Sequence, residues 1–209
     1  RDPDLTMTLS MPPKSRMLTA IAAVLLLAVF VLPLWRISLK APQYPEGLGM
    51  KITLTTVTGA KDHDLQNINE LNHYIGMKVI DPDAIPVLRV MPWVVAGLIA
   101  TGLLVALVGR RRLLYAWMAL FVAFSMAGMV VFYWWEYDYG HHLDMVNAII
   151  KIPGMTYQPP LIGSKQLLNF TAISWPDWGA WIAGAAFLLG ALAIVVARRS
   201  DAPAAATQG

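Results

Sequence analysis

The stretch WGAWIAGAAFLLGALAIVVA, residues 178–197, decides what kind of protein this is. It carries no charge from end to end, and Arg198 and Arg199 close it. A helix rises 1.5 Å per residue, so ~20 apolar residues cross the ~30 Å of bilayer hydrocarbon. Three further charge-free runs are long enough to do the same: residues 17–35, 90–108 and 113–135. Composition agrees. The chain is 57% hydrophobic and only 14% charged, against about 25% charge in soluble domains. The expected fold is a membrane α-helical protein with four transmembrane helices.

The charges flanking these runs set a direction. Lys14 and Arg16 precede the first, Arg110, Arg111 and Arg112 crowd the turn between the second and third, and Arg198 and Arg199 follow the fourth. Four crossings put all three clusters on one side, which the positive-inside rule makes cytoplasmic. Trp35, Trp93, Trp134, Trp135, Trp175, Trp178 and Trp181 sit near the opposite ends, where indole prefers the headgroup level, and only Trp117 lies near the inner side. The expected order is a cytoplasmic tail (1–16), a first span (17–35), an outer loop (36–89), a second span (90–108) and a cytoplasmic turn (109–112). A third span (113–135), a second outer loop (136–177), a fourth span (178–197) and a cytoplasmic tail (198–209) complete it. In a bacterium this is an inner-membrane protein with both termini cytoplasmic and two periplasmic loops. The first apolar run exceeds the roughly 7–15 residues of a signal-peptide core, and no A-x-A site follows, so it reads as a retained anchor.

The spans contain no Asp, Glu, Lys, Arg or His. Proton-coupled transport and pumping rely on such groups inside the membrane, so neither is expected. All four histidines fall in the outer loops, which leaves no axial ligands for a haem held between the helices. The absence of cysteine removes disulfides, thiolate metal sites and thiol nucleophiles. The basic residues cluster at helix ends, so lipid rather than nucleic acid is the expected partner. Small residues recur at spacing four (Ala180/Gly184, Ala186/Gly190, Gly102/Ala106, Ala123/Ala127). Such pairs let helices approach closely, within this bundle or against another subunit.

Function should therefore reside in the loops, which are long enough for a small mixed α/β extracytoplasmic domain. Residues 35–40 alternate apolar and polar like a strand, and residues 50–58 are rich in β-branched residues, predicting another. Leu65, Ile68, Leu71, Asn72 and Ile75 recur at three and four, predicting a helix over 64–75 that Asp62 or Asp64 caps and Gly76 ends. A short helix is expected over 143–149. Residues 152–163 hold too many prolines for a helix and should be extended.

His73 and Met77 stand four apart, as do His141 and Met145; on a helix that places each pair on one face. His63 and His142 lie in the same loops. Imidazole with thioether, and no thiolate, suits copper, so His73, Met77, His141, His142, Met145 and His63 are the candidate metal ligands. The plainer alternative is that each loop His is solvated and each loop Met fills core. Asn69, Asn72 and Tyr74, with Tyr157, Gln158, Pro159 and Pro160, form a candidate docking face, although amides there equally tie loop backbone together. No hydrolase, phosphate-binding, dinucleotide or zinc-protease motif occurs, so no enzyme activity is expected.

The segments LQNINELNHYIGMKVI (65–80) and IKIPGMTYQPPLIGSKQLLNF (150–170) resemble parts of small bacterial membrane proteins. Those proteins are similar to accessory proteins encoded beside nitrous oxide reductase maturation factors. The resemblance covers the two outer loops. It implies copper handling outside the inner membrane, with His73 and Met77 the first candidate ligands, and it brings no catalytic residues. The leading expectation is a non-catalytic accessory protein that binds copper or docks a copper-handling partner. The alternative is a structural subunit of a larger respiratory or photosynthetic complex.

Overall fold

The computed structural model describes residues 10–200. In chain order the elements are α1 (Pro13–Leu25, continued by a 3-10 turn Leu26–Phe30), β1 (Trp35–Ala41), β2 (Tyr44–Ile52), β3 (Val57–Gly59) and α2 (Asp64–Ile75). There follow α3 (Pro86–Val108), α4 (Arg111–His141), β4 (Gly163–Leu167), β5 (Phe170–Pro176) and α5 (Trp178–Arg199). Pro13–Phe30, α3, α4 and α5 are long and apolar enough to cross a membrane. The first helical run stops at Phe30, short of the expected residue 35. Pro33, with no N–H to give, stands in the link, and Trp35 opens a strand instead.

The chain separates into two units. The first, described over residues 10–28, 93–125 and 182–200, is helical. Close approach there depends on small residues. A Cβ on Gly102 would lie 2.8 Å from the Trp117 ring and 2.9 Å from Ala23, and one on Gly190 would strike Met118. Ala106 and Ala186 are buried beside them in sequence. Gly184 and the pair Ala123 and Ala127 face outward. Buried polar groups find backbone acceptors: Ser15 Oγ donates to Ala193 O at 2.8 Å and Trp117 Nε1 to Leu98 O at 2.8 Å. Arg16 donates to the carbonyls of Ala106 and Leu107, both at 2.7 Å. A cation is favourable there, at the end of α3 where carbonyls lack helical partners.

The second unit, residues 29–92 and 126–181, is built on a five-stranded antiparallel sheet of order β3-β2-β1-β5-β4. Strand β1 is central. It pairs with β2 from the first loop (Ile37 opposite Met50) and with β5 from the second (Ile37 opposite Ser174), so one sheet joins both loops. Its alternation holds: Trp35, Ile37 and Ala41 are buried, while Arg36 and Lys40 are exposed. Trp35, Ile37, Leu48, Met50, Val57, Ile68 and Ile80 form the core, with Phe132, Trp135 and Tyr139 of α4 packed against it.

Four local expectations change. Residues 50–58 are not one strand. The Thr53 hydroxyl donates to Thr56 O and accepts from the Thr56 N–H (both 3.0 Å), making a turn between β2 and β3. Neither Asp62 nor Asp64 caps α2. His63 holds the cap position without a side-chain bond, and the buried Asp64 carboxylate accepts from Gly49 N–H at 2.9 Å and Lys61 N–H at 3.2 Å. Residues 143–149 are turns rather than helix. Helix α4 runs on to His141, past the expected limit at residue 135. Its 31 residues make ~46 Å, more than the ~30 Å of hydrocarbon. Rings at helical spacing support the extension: Trp135 meets Tyr139 at 4.8 Å and Tyr137 stacks on His141 at 3.9 Å.

Candidate metal pocket

The end of α2 builds the site. Gly76 takes the left-handed conformation (φ +78°) that stops the helix, and Met77 N–H returns to Asn72 O at 2.8 Å. Met77 therefore leaves the helical face of His73. The same turn receives the second loop. Asp144 N–H donates to Gly76 O at 2.7 Å, and the N–H groups of Ile149 and Ile150 donate to Tyr74 O at 3.1 and 2.8 Å. A Cβ on Gly76 would come within 2.8 Å of Asp144 O, so only glycine admits this joint without a shift.

The outgoing chain is pinned by amides. Asn69 Oδ1 accepts from Ile80 N–H at 2.8 Å while its Nδ2 donates to Ile80 O at 3.2 Å, and Asn72 Nδ2 donates to Lys78 O at 3.3 Å. Lys78 Nζ then pairs with Asp138 of α4 at 2.6 Å. The result is an open pocket of about 540 Å³ whose lining includes His73, Met77, Lys78, His141, His142 and Asp144. Four of the six candidate ligands come together from segments more than sixty residues apart.

Two of the imidazoles are oriented. His141 Nδ1 lies 3.0 Å from Tyr137 O, and His142 Nδ1 lies 2.7 Å from an Asp138 carboxylate oxygen. Both partners accept, so Nδ1 is the donor in each ring, and in the neutral imidazole that leaves the Nε2 lone pair for a metal. A histidine held through one nitrogen by a carboxylate or carbonyl is the usual arrangement of a metal-ligating imidazole. Asp144 is held in its turn by the Asn147 side chain at 2.7 Å and by backbone N–H groups of Val146 and Asn147. Those bonds, the Asn147 side chain first, keep its carboxyl below the ordinary value. Among the described residues, no group of three or more His, Cys, Asp or Glu is set to hold an ion. A metal here would draw on the Met77 thioether as well, which favours Cu(I) over zinc.

The other two candidates stand elsewhere. Met145 follows the end of α4 and is exposed outside the pocket. His63 opens α2, ten residues before His73, and so stands roughly 15 Å away along the axis. The proposed docking residues also divide. Asn69 and Asn72 bond their own chain's backbone, and Tyr157 is 2% exposed with its N–H on Gly140 O at 2.9 Å. Gln158 packs its backbone on Gly140, Pro159 and Pro160 are half-buried, and Tyr74 remains exposed. Sequence reasoning missed Lys78 and Asp138, which no spacing pairs, and Glu136. Glu136 directly follows the charge-free run and is 1% exposed, although its place beside that run was a usable signal.

The chain matches no protein family and no curated protein, so nothing in these comparisons links it to nitrous oxide reductase maturation.

Proposed function

We propose that this chain is a non-catalytic, multi-pass protein of a bacterial inner membrane that takes up Cu(I) for a metalloenzyme under assembly. The sheet unit faces the periplasm in this reading, supported by the arginines gathered at the other helix ends. The observation that carries it is that His73, Met77, His141 and His142 line one open pocket, with His141 at the end of α4 and His142 just after it each oriented through Nδ1. Imidazole nitrogen and thioether sulfur are ligands that Cu(I) accepts without cysteine. An open pocket suits an ion that must leave again. A structural subunit of a larger complex is the second reading. It is favoured by Val79, Val146 and Ile149, which expose apolar side chains around the same joint.

The test is anaerobic Cu(I) loading of the detergent-purified protein, then competition with a chromogenic Cu(I) chelator. The wild type should retain about one copper per chain. A His73→Ala/His141→Ala variant should lose it, and a His63→Ala/Met145→Ala variant should load like wild type. Equal retention by the first variant, or none by the wild type, sinks the reading and favours the structural subunit.

A further inference from the structure

A second cavity of about 380 Å³ lies within the sheet unit, and no histidine lines it. Its walls are the inner face of the sheet (Ile37, Leu39, Met50), α2 (Ile68, Leu71) and the last turns of α4. At ~30 Å³ for a water-sized group, it has room for roughly a dozen non-hydrogen atoms. Nearly all the lining is apolar or aromatic.

Glu136 breaks that pattern. It is 1% exposed, it lines the cavity, and neither carboxylate oxygen has a hydrogen-bond partner in the protein. The Tyr157 hydroxyl and the Trp135 indole N–H, of residues lining the same cavity, are likewise buried without a partner. An unpaired carboxylate in an apolar interior costs several kcal/mol, and removing these groups in favour of leucine-like side chains would be cheaper. The lining contains no lysine, arginine or histidine, so the described residues place no countercharge on its walls. It does supply rings: Tyr44, Trp135, Tyr139, Tyr157 and Phe170. Aromatic faces around a single acid form the environment that attracts a desolvated cation.

We propose that this cavity binds a lipophilic amine, its ammonium head on Glu136 and Tyr157 and its apolar chain along the sheet. The ammonium donates hydrogen bonds to the Glu136 carboxylate and to the Tyr157 oxygen, which satisfies both groups at once. The chain of about ten carbons fills the space beside Ile37 and Leu71. A fatty acid would set a second carboxylate against Glu136. A phospholipid would bring a phosphate for which the lining has no cation. The site shares Met77 with the histidine pocket but none of its histidines, and it does not depend on that pocket taking copper.

The experiment uses the full chain in lipid nanodiscs and equilibrium dialysis of radiolabelled decylamine, with empty nanodiscs subtracted. Decanol and decanoate of the same chain length run alongside. Wild type should show one saturable decylamine site per chain, at least tenfold tighter than for decanol, with decanoate showing none. Glu136→Gln should weaken decylamine at least tenfold and leave decanol unchanged. Tyr157→Phe should weaken decylamine by a smaller factor, and serves if Glu136→Gln fails to fold. No saturable excess, equal binding of the three probes, or decylamine binding indifferent to both substitutions would overturn the proposal.

Discussion

Replacing Gly76 by alanine should open the joint that brings the two loops together. Two costs add. At φ +78° an L-residue gives up about 1 kcal/mol relative to glycine. The new Cβ would also stand 2.8 Å from Asp144 O and 3.0 Å from Ala148 Cβ, both on the docked loop. Relieving an overlap of that kind typically costs ~1–3 kcal/mol. The sum is about 2–4 kcal/mol, carried by the attachment of residues 144–150 to α2. Hydrogen exchange reads this directly, because the amides of Asp144, Ile149 and Ile150 are protected by bonds to Gly76 O and Tyr74 O. Their exchange should accelerate roughly 30- to 700-fold. Gly154 supplies the control. It has φ +76° but open space where its Cβ would go, so Gly154→Ala should incur the first cost alone, about 1 kcal/mol. If Gly76→Ala leaves those amides at wild-type rates, or acts no more strongly than Gly154→Ala, the contact is not what holds the loop. Copper retention should fall in Gly76→Ala although every ligand remains.

Asn69→Ala should cost ~1–3 kcal/mol, because it removes both partners of the Ile80 peptide groups. Denaturant unfolding followed by tryptophan fluorescence would register it, and a change under about 0.5 kcal/mol would show that solvent takes over both bonds. Lys78→Ala removes an ion pair whose side chains are about half exposed, so stability should move by less than ~1 kcal/mol. The same change removes an ammonium from the lining of the histidine pocket. Cu(I) should therefore bind more tightly in chelator competition, and unchanged or weaker binding would place the ion away from Lys78.

The four apolar helices were legible because hydropathy is a sum over neighbours in the chain, and the length of an apolar run answers directly to bilayer thickness. Helix α2 was legible for a related reason: its apolar spacing and Gly76 are local signals. The residues of the candidate pocket were visible as types, but the reason given for pairing them was not the one that operates. Met77 leaves the helix at Gly76 and Met145 lies beyond the end of α4, so i, i+4 spacing joins neither pair. His73 shares a pocket with His141 and His142 because backbone bonds from Asp144, Ile149 and Ile150 dock the second loop on α2. Strands β4 and β5 were missed altogether. Their short sequences become a sheet edge only when β1 offers a partner more than 120 residues earlier in the chain. The burial of Glu136 has the same origin. On its own helix it is one polar residue after an apolar run, and only the sheet closing over it makes its wall a cavity. Local sums decide what can cross a membrane; contacts between distant segments decide what the loops can hold.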